Sequence, residues 1–247
     1  MSEKIKIAVG YPSPERIDHR FYQDFIHFLA QNMTEFVIFP INVVSSRIVL
    51  NRNSIVQEAK RIKADYILWI DADTRFPPSG LKRLIAHNKD VVCATTSRRV
   101  GEDRGPACWP LDVKAIVPFQ KLVPMKFIGF PFMLTKMSVF DKIERPYFAE
   151  PPRKLIKVFE GKEYLSAEDM YYDVMPEDEY FCWQLRQAGI DIWCDMQLTM
   201  EIGHIGTTVY YVKNPLPEGK TEGDITFEPI VKPTDEQLHR EADGIGE

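Results

Sequence analysis

Apolar and polar positions along the first hundred residues switch between two rhythms. Ile5 to Val9 is a short apolar run ending at Gly10-Tyr11-Pro12, the pattern of a strand. Ile17, Phe21, Phe25, Phe28 and Leu29 then recur at helical steps, and Phe36 to Phe39 reads as a second strand. Asn53 or Ser54 can cap a following helix that carries Ile55, Ala59 and Ile62 on one face. Tyr66-Ile67-Leu68-Trp69-Ile70 is unbroken apolar sequence, as a strand buried on both faces requires. Asp71-Ala72-Asp73 follows directly, then Pro77-Pro78, a short helix with Leu81, Leu84 and Ile85, and a strand over Asp90 to Ala94. This alternation predicts an α/β fold, a mixed, mostly parallel sheet flanked by helices on both faces. Ligands of such sheets gather at the carboxyl ends of the strands, and Asp71 sits at one of them.

The pattern weakens from Ser97 to Met125, where Gly101, Gly105, Pro106, Pro110, Pro118 and Pro124 interrupt it. Long irregular stretches inside compact domains are often functional. Phe127 to Leu134 reads as one strand, edge or bulged because of Gly129 and Pro131. A short helix over Ser138 to Ile143 and a charged, tyrosine-rich loop up to Met175 come next. Pro176 to Ala188 has clear helix signals: Pro176 opens it, Glu177, Asp178 and Glu179 fill the first turn, and Gly189 closes it. Ile190, Ile192 and Cys194 alternate as a strand, and Thr207 to Val212 reads as extended. Prolines, glycines and acids dominate from Pro215 onward. The expectation is one domain over residues 1–214 and an extended tail over 215–247.

Composition adds limits. The 247 residues are long enough to bury a full core, and 45% hydrophobic with 27% charged residues is ordinary for a globular chain. A formal charge of −5 gives no general reason to expect a polyanionic partner, so nucleic acid is disfavoured. No apolar run approaches the roughly 20 residues needed to span a bilayer. Met1-Ser2-Glu3-Lys4-Ile5 runs straight into the first strand without a signal-peptide pattern. Cys93, Cys108, Cys182 and Cys194 form no CxxC pair and read as reduced thiols, which makes a cytoplasmic protein the expectation.

The sharpest chemical signal is Asp71-Ala72-Asp73. Two carboxylates two residues apart at the end of a buried strand can face one cavity, and Mg²⁺ or Mn²⁺ completes such a ligand set with waters and substrate phosphates. The plainer reading is a solubilising loop or a helix cap. Arg52-Asn53, with Arg47 upstream, offers planar donors suited to a phosphate or base, or simply a solvated surface. Glu177 and Asp178 are stabilised by the helix dipole whatever their function, yet a carboxylate there can accept a hydroxyl proton as general base. His204, between Gly203 and Ile205-Gly206, becomes a reasonable third metal ligand as neutral imidazole once an upstream acidic pair is present. Trp69 and Phe181 read as core. Among Trp109, Phe130, Phe132 and Trp183, Trp109 is the best candidate to stack on a sugar ring.

Taken in order, these segments resemble a known family. Leu50-Asn51-Arg52-Asn53, a helix, and Asp65-Tyr66-Ile67-Leu68-Trp69-Ile70-Asp71-Ala72-Asp73 look like the donor half of GT-A glycosyltransferases. Ile128-Gly129-Phe130-Pro131-Phe132-Met133-Leu134 is similar to their central acceptor-side strand. Pro176-Glu177-Asp178-Glu179-Tyr180-Phe181-Cys182 resembles the acidic helix start of family-two enzymes, and Asp195 with His204-Ile205-Gly206 resembles their closing metal-ligand segment. The match in order and spacing runs over roughly residues 5 to 212. It implies a Rossmann-like nucleotide-binding sheet, with a donor half over about 1–96 and an acceptor half over 97–214. It also implies a nucleotide-sugar, a UDP-sugar favoured, near Pro12, Arg47, Arg52, Asn53, Asp71 and Ala72. Mn²⁺ or Mg²⁺ would lie on Asp71, Asp73 and His204, and Asp178 would be the base if the reaction inverts, with Glu177 as the alternative. Acceptor-side candidates are Arg98, Arg99, Trp109, Gly129 and Phe130. The compact length is similar to stand-alone enzymes of bacteria and their viruses, and Pro131 stands where a small residue is more usual.

Two rival functions use the same residues. A metal-dependent nucleotidyltransferase would carry a glycine-rich basic loop after the first strand, where this chain has Val9-Gly10-Tyr11-Pro12-Ser13-Pro14. A non-catalytic nucleotide-sugar-binding relative would have less reason to keep Asp71, Asp73, Asp178 and His204 together. The acceptor is a hydroxyl compound of unknown kind. Arg98, Arg99, Arg104, Lys114, Lys121 and Lys126 make its side locally basic, which is ordinary surface charge or fits a phosphate-bearing acceptor: modified DNA, a nucleotide or a lipid-linked sugar.

Overall fold

The computed structural model describes residues 3–97, 106–111, 122–153, 174–206 and 209–210. The strands are β1 (Lys6–Ser13), β2 (Val37–Val44), β3 (Tyr66–Ile70), β4 (Thr74–Arg75), β5 (Val91–Ala94), β6 (Cys108–Pro110), β7 (Val123–Ile128), β8 (Phe132–Lys136), β9 (Ile192–Cys194), β10 (Gly203–Ile205) and β11 (Val209–Tyr210). The helices are α1 (His19–Asn32), α2 (Ile48–Arg61), α3 (Gly80–Ala86), α4 (Glu177–Gln187) and α5 (Met196–Thr199), with a 3₁₀ turn over Met137–Asp141. Eight strands form one sheet in the order β2-β1-β3-β8-β5-β9-β7-β6. β2, β1 and β3 are mutually parallel, as are β5 and β9, while β8 runs antiparallel between β3 and β5. The fold is therefore a mixed α/β sheet of Rossmann-like type, as the strand and helix rhythm predicts.

Alternating side chains of each strand enter two separate cores. Ile67 and Trp69 of β3 join Ala8, Val91, Cys93 and Met133 in the layer under α2 and α4, which also holds Ile55, Phe130, Phe148 and Phe181. Leu68 and Ile70 join Ile7, Val9, Val92 and Ala94 in the layer under α1 and α3, with Phe21, Phe25, Phe28, Phe76 and Phe132. Burial on both faces is why the β3 sequence shows no polar alternation. All four cysteines are buried, and no disulfide joins them. No helix among the described residues is long and apolar enough to cross a membrane.

Two expected elements differ. The Phe127–Leu134 segment is two strands: β7 pairs with β6 and β9, and β8 with β3 and β5, so Gly129-Phe130-Pro131 is a crossing and not a bulge. Proline has no amide hydrogen for a ladder, and the chain leaves one pairing partner for another at that point. Helix α2 begins at Ile48, a turn and a half before the expected cap, so Asn53 and Ser54 lie within it. The amide of Asn53 donates to Val49 O and Phe148 O, both 2.9 Å or less, and its oxygen accepts from the Tyr147 and Phe148 amides. It ties the helix to the segment entering the aromatic core.

Candidate active site

The chain passes from β1 to β2 on one side and then returns to β3 on the other, so β1 and β3 are neighbours whose connections leave in opposite directions. Such a reversal opens a crevice at the carboxyl ends of the two strands. A cleft of about 450 Å³ lies there, lined by Pro12, Pro14, Arg16, Asp18, Ile48, Arg52, Asp71, Ala72, Asp73 and Glu177. Pro12 comes from the end of β1, Asp71 to Asp73 from the turn after β3, and Glu177 from the first turn of α4.

The turn after β3 is pinned by the Asp71 amide, which donates to Pro131 O at 3.3 Å, and by the Thr74 amide, which donates to Asp71 O at 3.0 Å. It aims its two carboxylates at different partners. Asp71 Oδ1 accepts from Arg52 Nη2 at 3.0 Å. Asp73 Oδ2 lies 3.5 Å from His204 Nε2. Strand pairing brings that histidine in from 130 residues away: β10 runs antiparallel to β4 with His204 opposite Thr74, and the Ile205 amide donates to Asp73 O at 2.7 Å. His204 Nδ1 is 3.0 Å from Ser97 O. A carbonyl can only accept, so Nδ1 carries the proton, and a neutral ring turns the bare Nε2 lone pair toward the Asp73 carboxylate. Two acceptors facing each other need a cation between them, or a proton on the imidazole.

That chemistry fits a divalent metal on two protein ligands, the usual economy of Mg²⁺ sites completed by phosphates and water. The expected triad is not assembled, however. Among the described residues no three His, Cys, Asp or Glu side chains are gathered to hold a metal ion, because Asp71 is turned toward Arg52. Asp195 is likewise engaged elsewhere: 1% exposed, it caps α5 by accepting from the Leu198 amide at 2.8 Å and meets His87 Nε2 at 2.9 Å.

Glu177 and Asp178 enter at the N-terminus of α4. Glu177 Oε1 accepts from Arg52 Nε at 3.2 Å. Asp178 Oδ1 accepts from the Glu179 amide at 2.8 Å, and its Oδ2 lies on the Gly129 side, 3.6 Å from where a β-carbon at that glycine would sit. Burial, reinforced by the negative charge of Glu177, pushes the Asp178 carboxyl up to about 6. Asp71 also rises to about 6, chiefly through desolvation deep in the cleft even though 31% of its side chain reaches water; Arg52 opposes the shift. A cleft holding this much negative charge favours a cation and keeps Asp178 poised to exchange a proton near neutrality.

Several expected site residues take other roles. Arg52 lines the cleft but is only 3% exposed, with its guanidinium engaged by Asp71 and Glu177. Asn53 spends its amide on backbone. Arg47 stands exposed at the start of α2, outside the cleft lining. Phe130 is 1% exposed and forms the floor beneath Arg52, with the guanidinium carbon 4.4 Å from its ring centre. Trp109, half-exposed on β6, packs against Phe127 at 5.1 Å. Arg98 and Arg99 lie outside the described residues. The cleft also contains residues not expected there, Pro14, Arg16, Asp18 and Ile48. Asp18 caps α1 and is held by Arg20, which drives its pKa far down and leaves Arg16 as the exposed cation of the lining. The signal for Arg16 was its position in the loop after the first strand, at the strand-order reversal.

No protein-family model and no curated protein matches the chain. Among solved structures it is similar to the crystal structure of A197 from STIV, with a TM-score of 0.52 over 88% of this chain and 98% of that one, at 15% identity. A likeness at that identity establishes the shared α/β architecture.

Proposed function

We propose that the protein is a metal-dependent glycosyltransferase that moves a sugar from a nucleoside-diphosphate donor, a UDP-sugar by preference, to a hydroxyl acceptor. The observation that carries this reading is the convergence of Asp71, Asp73, His204, Glu177 and Asp178, from three separate chain segments, around the crevice where strand order reverses. Asp73 and His204 would hold Mg²⁺ or Mn²⁺, which when bound supplies Lewis-acid neutralisation of the departing diphosphate. Pro12, Pro14, Ile48 and Ala72 line the cleft with less polar surface that would receive the nucleoside, and Arg16 would meet the anionic end of the donor.

In the transfer the acceptor oxygen attacks the anomeric carbon and Asp178 takes its proton. The bond from that carbon to the diphosphate oxygen breaks, and the nucleoside diphosphate leaves with the electron pair. A base near 6 suits this step at neutral pH, since it is largely ionised yet still basic. The test is transfer and donor binding in wild type and Asp178→Asn. The variant should bind donor normally while transfer falls by about 10²–10⁴-fold. Transfer at the wild-type rate would remove Asp178 from the reaction. Thermal stability against UDP-, GDP-, CMP- and dTDP-sugars, with Mn²⁺ and with chelator, identifies the donor class through a metal-dependent shift. No shift with any of them would favour the nucleotidyltransferase or non-catalytic readings.

A further inference from the structure

Arg52 is a buried cation shared between two walls of the cleft. Its Nη2 donates to Asp71 in the turn after β3, 19 residues away in sequence, and its Nε donates to Glu177 on α4, 125 residues away. The guanidinium carbon lies 4.4 Å from the Phe130 ring centre, 5.8 Å from Trp69 and 6.0 Å from Phe148, an aromatic box that suits a planar, weakly hydrated cation. Two walls of that box also grip α4: Phe148 stacks on Phe181 at 4.9 Å and Phe130 meets it edge-on at 5.3 Å. Phe181 is one helical turn beyond Glu177. The first turn of α4 is thus held at one end by the Arg52 fork and at the other by rings that the same guanidinium covers.

The arrangement is poorly explained as a stabilising device. Burying a charge is costly, and an apolar side chain of similar size often serves stability as well or better. Arg52 Nη1 is moreover buried without a hydrogen-bond partner among the described residues, a cost that geometry and not stability accounts for. We propose that Arg52 is a positioning residue, whose fork locks the α4 N-terminus to the end of β3 and so sets where the Asp178 carboxylate stands relative to the cleft. The proposal rests on the reading of Asp178 as the base. A lysine keeps the charge but cannot bridge Asp71 and Glu177 with two donors in one plane.

Arg52→Lys and the double variant Arg52→Met/Glu177→Gln test this, the second because it removes the cation together with one of its carboxylates, whereas Arg52→Met alone leaves both carboxylates uncompensated. Hydrogen exchange is measured at the Glu179, Tyr180 and Phe181 amides, and kcat and KM are measured for transfer. Both variants should keep a cooperative thermal transition, lose protection in the first turn of α4, and lose about a hundredfold in kcat with donor KM little changed, as misplacement of a base requires. A folded Arg52→Lys with wild-type protection, or with wild-type kcat despite lost protection, overturns the proposal. If wild type transfers sugar from no donor, the reading of the site fails separately, and the exchange data still decide whether Arg52 holds α4.

Discussion

Asp178 owes its raised pKa to position, because an aspartate at a solvated helix N-terminus titrates at or below its ordinary value. Here desolvation, and then the adjacent Glu177 charge, raise the carboxyl to about 6, while the Glu179 amide and Arg52 limit the rise. A base must be ionised to act, so transfer should fall on acidification through about pH 6, and Glu177→Gln should move that limb to lower pH by removing a repelling charge. The pH–rate profile of the two proteins checks this; coincident profiles would assign the limb to another group. At Asn53 the sequence suggested a cap or a nucleotide contact, and the side chain instead satisfies four backbone groups. Asn53→Ala should therefore cost about 1–3 kcal/mol of stability, read by denaturant unfolding, with donor affinity unchanged. Arg16→Ala should do the reverse. Losing a charge-assisted contact to the donor would weaken nucleoside diphosphate binding by about 1.5–3 kcal/mol in calorimetry while the unfolding midpoint stays put.

At the scale of elements, what was legible followed from periodicity. Helix α1 and strands β3 and β5 stand where the spacing of Phe21, Phe25 and Phe28 and the apolar runs placed them. The two departures lie where local sequence is ambiguous. Apolar residues flank Gly129-Phe130-Pro131 on both sides, and only the choice of partners, β9 on one side and β3 on the other, divides the segment. The start of α2 has no side-chain cap to announce it. Its seat depends on Gly10 of β1, where a β-carbon would lie 2.5 Å from Ile55 Cγ2, on a branched side chain that cannot swing away. Gly10→Ala should push α2, and Arg52 with it, off the sheet at a cost of about 1–3 kcal/mol. Denaturant unfolding reads the loss, and an unchanged midpoint would mean that the helix has room to shift.

For the molecule as a whole, the site is bought at the expense of stability. The folded Asp178 carboxyl, at about 6, holds its proton more tightly than the unfolded one near 3.8. Its contribution is therefore most favourable below about 4 and is lost as pH rises to about 6, after which it is constant. Asp18 works in the opposite sense. Its bonds to Arg20 lower its pKa, so its contribution is full above about 4 and fades on acidification. Asp178→Asn should accordingly gain stability over wild type across pH 4 to 6 and hold a constant margin above, in denaturant titrations at a series of pH values. A margin independent of pH would place the cost elsewhere. Local sequence specified the α/β class, the buried central strands and the acidic candidates, because side-chain periodicity and helix-end chemistry act over a few residues. It did not specify which charges meet. The pairing of His204 with Asp73 depends on the register of β10 against β4, and the engagement of Arg52 by Asp71 and Glu177 depends on α2, β3 and α4 closing around one guanidinium. Those are long-range choices, made when two cores pack on opposite faces of a single sheet.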